Sequence, residues 1–440
     1  MSQSQRIFLW SITAALGGFL FGFDTAVISG VEQTLQSLWN LSDAEHGLTI
    51  SVALIGTVIG AMTGGIPAER LGRKRTLFWI GVIYLGASLG TALAPTWGFF
   101  FFFRLLGGLG VGASSVAAPM YISEISPAKS RGLLVALFQF NVVLGILIAY
   151  VSNYFLQNFG AEPWRWMLGV QAIPSLIFLV TVLYIPESPR WLLLKKGKVA
   201  EAKEVLNMID PETADATLAT LQQHADQPQT VSLFSGKYNT PIMLAVLFAF
   251  FNQVSGINAI LYYAPRIFEM TGLGKSSALL SSAGVGLVNL IFTMISMNLI
   301  DRFGRRTLML VGSVGLIVML GLVTRAFYLE EFNGLSVPLF LFGYIAFFGF
   351  SQGAVIWVFI SEIFPNEVRS SGQALGSFTH WIMAAIITYT FPYLTGQFGP
   401  AASFMFFTVM MILQLLFVWK LMPETKGTSL EQIERTFVGH

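Results

Sequence analysis

The 440-residue chain contains no cysteine, so disulfides, thiolate metal sites and cysteine nucleophiles are all excluded. It holds four histidines and no long basic run, and its net charge of +2 gives no electrostatic footprint for nucleic acid. Charged residues make up 11% of the chain, against about 25% in an ordinary soluble domain. We find no phosphate-cradling loop, no metal-ligand cluster and no nucleophile–base arrangement, so an enzyme is not expected, and neither a cofactor nor a metal is implied. What the chain has in excess is apolar surface: 54% of its residues are hydrophobic, spread over the whole length. One soluble core cannot absorb that much, so the excess must face lipid.

A helix crosses the roughly 30 Å hydrocarbon layer with about 20 mostly apolar residues. Twelve such stretches can be read, near 8–30, 47–68, 76–94, 97–121, 132–156, 166–185, 240–268, 277–300, 307–328, 337–363, 372–395 and 401–421. They are continuously apolar, whereas barrel strands show about ten residues of alternating polarity. The first lacks a small-residue cleavage site and carries Asp24 inside it, which predicts a retained span and not a signal peptide. With the N-terminus in the cytoplasm, twenty of the 25 basic residues, Lys129 and Arg435 among them, fall on the inner side. That bias predicts both termini inside and an even number of spans.

Three motifs repeat at nearly one offset. Glu69-Arg70-Leu71-Gly72-Arg73 returns as Asp301-Arg302-Phe303-Gly304-Arg305, 232 residues on. Glu124 and Arg131 return as Glu362 and Arg369 after 238, and Pro186-Glu187-Ser188 as Pro423-Glu424-Thr425 after 237. The chain therefore reads as an all-α membrane protein of two pseudo-symmetric six-helix halves, 1–188 and 237–423. Parallel halves of this kind are a transporter architecture with the substrate at mid-membrane between them. Between the halves, 189–236 is expected to lie on the cytoplasmic face, with Val199, Ala202, Val205, Leu206 and Ile209 spaced along one stripe of a helix. The tail, 424–440, carries the capping pattern Thr428-Ser429-Leu430-Glu431 and is expected to form a short surface helix.

Glu69-Arg70-x-Gly72-Arg73-Lys74 and its second copy resemble the signature of the major facilitator superfamily. Pro186-Glu187-Ser188-Pro189-Arg190, Pro423-Glu424-Thr425-Lys426-Gly427, Gly17-Gly18-Phe19-Leu20-Phe21-Gly22-Phe23-Asp24 and Asn252-Gln253-Val254-Ser255-Gly256-Ile257-Asn258 narrow the resemblance to the sugar porter family. Departures are Glu69 for the usual Asp, Asn252 for a common Gln, Gly353-Ala354 for Gly-Pro, and His380 for Gln or Asn. The resemblance implies the major facilitator fold and monosaccharide transport.

Asp24 and Arg104 both fall within spans, where each charge costs about 2.5–3.5 kcal/mol on an insertion scale, so neither should face lipid. The economical solution is that they meet inside the first half. A permanent salt bridge that merely fixes helices one and four is one reading. The other is that Asp24 takes and releases a proton, because a carboxylate beside an arginine and one left alone in a dry site differ in proton affinity. The bacterial proton-coupled sugar symporters resemble this chain in the Asp–Arg combination, which implies import of a hexose or pentose by proton symport through Asp24. A passive sugar facilitator of the same fold is the alternative, and a transport-dead sensor the third.

Sugar hydroxyls donate and accept, so amides and an aromatic plate suit them. Span seven supplies Asn252, Gln253 and Asn258; a helix break at Gly256 would turn Asn258 to the same side as the others. By resemblance Phe21, Gln139, Asn289 and Trp357 join them, with His380 either a sugar contact, a structural histidine or a second proton site. A cytoplasmic gate is expected from Glu69, Arg70, Arg73, Glu124, Arg131, Glu187 and Arg190, and from Asp301, Arg302, Arg305, Glu362, Arg369 and Glu424. The expected partners are a monosaccharide, a proton and the bilayer, and the expected setting is a monomer in the plasma membrane.

Overall fold

The computed structural model describes residues 3–127, 130–223, 232–365 and 367–426. Lys129, Arg435 and the whole of the predicted tail helix, from its capping pattern at Thr428 on, lie outside the described residues. Among those described, ten helical segments are long and apolar enough to cross a membrane. One of them, Arg369–Lys420, has 52 residues, about 78 Å at 1.5 Å per residue, more than twice the hydrocarbon thickness. It breaks at Gly399 (φ 80, ψ 161), with Pro400 next, and so supplies spans eleven and twelve. Arg73–Ala92 is span three; three basic residues in its first turn reduce its apolar character. The count is therefore twelve.

The spans are one, Gln3–Val27; two, Asp43–Thr63; three, Arg73–Ala92; four, Trp97–Ile125; five, Arg131–Leu156; and six, Pro163–Gly169 with Ala172–Val182. Span seven comprises Asn239–Val254 and Ile257–Glu269, eight Lys275–Phe303, nine Arg305–Leu329, and ten Ser336–Phe350 with Gln352–Ile363. The chain divides into two compact units, 1–27 with 52–228, and 28–51 with 229–440. Residues 28–51, the connection between spans one and two together with the first nine residues of span two, thus belong to the second unit.

In the first unit, span one lies chiefly on span five and also on span four. The approach to span five is close: a Cβ at Gly22 would strike the Val142 carbonyl, and one at Gly145 the Phe19 carbonyl. Without a hydrophobic driving force between helices in lipid, such small-residue contacts give the packing its energy. In the second unit, Phe248 stacks on Phe359 of span ten at 5.2 Å, and Phe251 on Phe417 of span twelve at 5.4 Å.

The segment after span six forms Pro189–Lys196, Val199–Ile209 and Ala214–Gln223. Ser188 caps the first of these, its hydroxyl accepting from the Trp191 N–H at 3.1 Å, while Pro189 opens it and Gly197 closes it in a left-handed conformation. The second buries Ala202, Val205, Leu206 and Ile209, the stripe expected from spacing, with Val199 left exposed.

Span seven breaks where the sequence suggested. Gly256 takes φ 89, and the second half starts at Ile257. A side chain at this position is strained by about 1–2 kcal/mol from the left-handed conformation alone, and a Cβ would also meet the Phe407 ring at 2.6 Å. Gly256→Ala should therefore lower the unfolding midpoint of the purified protein; thermal unfolding in detergent reads it.

Candidate functional site

Asp24 and Arg104 meet. Arg104 Nη1 donates to Asp24 Oδ1 at 2.8 Å, with Arg104 2% and Asp24 6% exposed. Spans one and four place them, with Gly107 of span four alongside: a Cβ there would lie in ordinary van der Waals contact, 3.8 Å from Asp24 Oδ1. Gly108 and Gly112, which share a helix face with Arg104, pack against span two; Cβ atoms there would strike the carbonyls of Ala53 and Thr57. The buried Tyr84 and Ser114 complete the surroundings. Arg104 Nε and Nη2 have no hydrogen-bond acceptor among the described residues. A single strong bond therefore holds a guanidinium that carries five donors.

In the second unit, the break at Gly256 brings the span-seven amides together. Gln253 Nε2 donates to Asn252 Oδ1 at 2.9 Å, and Asn258 Nδ2 donates to Gln253 Oε1 at 2.6 Å. Gln253 Nε2 also lies 3.1 Å from His380 Nε2. The His380 ring is packed 4.9 Å from Trp357 and 4.7 Å from Trp381. Trp357 is 37% exposed whereas Trp381 is 8% exposed, so Trp357 is the ring that keeps a free face. Asn289 is buried on span eight, where its carbonyl oxygen accepts from Thr293 at 3.4 Å, and the structure gives it no bond to the amide cluster. Phe21 and Gln139 are half-buried on spans one and five of the first unit.

The charged clusters at the basic span ends appear twice with one geometry. Arg73 grips Glu124 through two bonds of 2.9 Å, and Arg305 grips Glu362 at 3.1 and 2.7 Å. The Glu187 carboxylate accepts from the N–H groups of Arg73, Lys74 and Ser188; the Glu424 carboxylate accepts from those of Arg305, Arg306 and Lys426. Burial pushes the Glu187 carboxyl above its ordinary range, against those three donors and the Arg73 charge. Arg131 donates to the Ser126 carbonyl at 3.5 Å and Arg369 to that of Phe364 at 3.3 Å. Asp301 reaches Arg305 at 3.5 Å, while Glu69 turns outward to Lys195. Arg70, Arg190 and Arg302 are exposed.

The sequence reading missed a third buried cluster. Glu32, in the helix Glu32–Leu38, accepts from His46 Nε2 at 2.7 Å and pairs with Arg266 Nε at 3.0 Å. Both Glu32 and His46 are 0% exposed, and Arg266 also bonds Gln36. The signal available in the sequence was a Glu among the apolar Val31 and Leu35.

Residues 10–437 match the family model described as sugar (and other) transporter. The chain belongs to that family. It is 37% identical to the arabinose-proton symporter of Bacillus subtilis (strain 168), over 98% of this chain and 95% of the relative. With the D-xylose-proton symporter of Escherichia coli (strain K12) it shares 34% identity, over 98% and 96%. It superposes on the inward open conformation of the xylose transporter XylE from E. coli with a TM-score of 0.88, at 33% identity, over 98% of this chain and all of that one. The fold is that of the major facilitator superfamily, and the family is one of transporters and not of enzymes. Within this sugar transporter, removing one partner of the buried ion pair leaves an uncompensated charge, at a cost of about 3–5 kcal/mol. Arg104→Met should show that loss in thermal unfolding, and Arg104→Met with Asp24→Leu should recover most of it.

Proposed function

We propose that the chain imports a monosaccharide, a hexose or a pentose, by alternating access coupled to proton symport through Asp24. The observation that carries this reading is the Asp24–Arg104 bond of 2.8 Å in a site closed to solvent. In general a nearby guanidinium favours the charged form of a carboxylate, and dry surroundings without one favour the neutral form. A conformational cycle that changes their distance thereby links proton uptake to conformation, which is the physical requirement of symport. The proton-coupled relatives and the expected sugar chemistry of Asn252, Gln253, Asn258 and Trp357 support the reading. Phe21, Gln139, Asn289 and His380 are proposed to complete the sugar contacts.

The halves 1–188 and 237–423 are the proposed moving bodies, in the plasma membrane with both termini cytoplasmic, and a single copy suffices. The paired clusters around Arg73–Glu124 and Arg305–Glu362 act as the cytoplasmic gate. Exposed ion pairs contribute about 0–1 kcal/mol each, so the gate draws on their arrangement as bidentate, partly buried networks.

Two measurements test the proposal. Asp24→Asn in proteoliposomes should abolish accumulation against a sugar gradient while counterflow exchange persists. Uphill uptake retained by that variant would make the chain a passive facilitator. Glu124→Gln should raise the labelling rate of cytoplasmic-side probes several-fold over wild type; unchanged labelling removes Glu124 from the gate.

A further inference from the structure

Span ten bends without a proline. Its two helices meet at Ser351, whose φ of −109 and ψ of −90 belong to neither. A broken span exposes backbone groups that hydrocarbon cannot satisfy, so the protein must bond them itself. Ser351 Oγ donates to the Phe347 carbonyl at 2.5 Å, and the Gln352 carbonyl accepts from Asn252 Nδ2 at 3.4 Å. The break is thus joined directly to one of the span-seven amides.

The Gln352 side chain runs the other way. It is fully buried, and its Nε2 donates to Gln414 Oε1 of span twelve at 2.8 Å. Gln414, 1% exposed, in turn donates through Nε2 to Ser313 Oγ of span nine at 3.1 Å. One hydrogen-bonded chain therefore runs from Ser313 through Gln414, Gln352, Asn252 and Gln253 to Asn258 and His380. Asn252, Gln253 and Gln414 each spend both the carbonyl and the amino group within this chain, whereas Asn258 commits its amino group. Unpaired, an amide in such surroundings costs about 1–3 kcal/mol, so removing one link makes its neighbours rearrange.

We propose that Gln414 and Gln352 are positioning residues for the sugar. They hold the span-ten break, and with it the helix that carries Trp357 and the carbonyl that orients Asn252. Gln414 itself touches no sugar; it sets the geometry of groups that do. This inference rests on the reading of Asn252, Gln253, Asn258 and Trp357 as sugar contacts.

The test uses the full chain in proteoliposomes, with counterflow of D-xylose, L-arabinose and D-glucose. The sugar that wild type exchanges serves as the probe for Gln414→Leu, Gln352→Leu, the double variant and Ser313→Ala. Gln414→Leu should raise KM about 5- to 50-fold while the maximal exchange rate per folded transporter changes less than 3-fold. The double variant should be no worse than the more impaired single one, because both act through one contact. Ser313→Ala, which trims only the end of the chain, should raise KM about 2- to 5-fold and keeps the test open if a leucine variant does not fold. Folded variants with unaltered KM, even if less stable, overturn the proposal, as do fully multiplicative effects in the double variant. Wild type that exchanges none of the sugars would instead overturn the sugar reading itself.

Discussion

A guanidinium in the middle of a membrane protein must find a negative partner, and the first unit is arranged around that need. Arg104 cannot be deprotonated to escape the cost of burial. Span one has to bring a carboxylate to it, and does so at 2.8 Å. Spans one and four meet directly at Gly17, where a Cβ would strike Ser114 Oγ, and this close seam suits the separation the bond requires. Packing and charge pairing are here one constraint: a bulkier seam would part the ions, and a missing ion would leave the seam enclosing an uncompensated charge.

The repeat legible in the sequence returns as repeated geometry. Arg73 and Arg305 each clasp a glutamate from the end of the span one further along and each donate to a carbonyl five residues earlier, Ala68 and Ile300. Their backbone N–H groups are capped by Glu187 and Glu424. The copies differ where the sequences differ. The shorter Asp301 stays beside its arginine four residues on, whereas the longer Glu69 reaches Lys195 in the helix after span six. A tail residue adds to the second cluster, Thr425 donating to Glu362 at 2.6 Å.

The spans, the meeting of Asp24 with Arg104 and the break at Gly256 were readable because each follows from a strong local rule: hydrophobic length, the cost of a lone charge, and the freedom of glycine at positive φ. Other features depend on partners far apart in the chain. Gln352 and Gln414 look like isolated amides in apolar runs, and only the fold brings them to 2.8 Å. Glu32 and His46 read as loop residues, yet both are buried and joined to Arg266, over 200 residues away. The span-ten break gave no proline to announce it. Asn289 shows the reverse case: its bond to Thr293 within its own helix is invisible to a motif.

Spans eleven and twelve are joined at Gly399 and Pro400 with no intervening loop. Most hairpins in a membrane protein have slack at the tip, which absorbs the tilt of one helix before its neighbour feels it. Here there is none, so a rotation of the helix bearing His380 passes at once to the helix bearing Gln414. The corner leaves no stretch of chain for a protease to enter or for an epitope to be inserted, and it makes the two helices one bent lever.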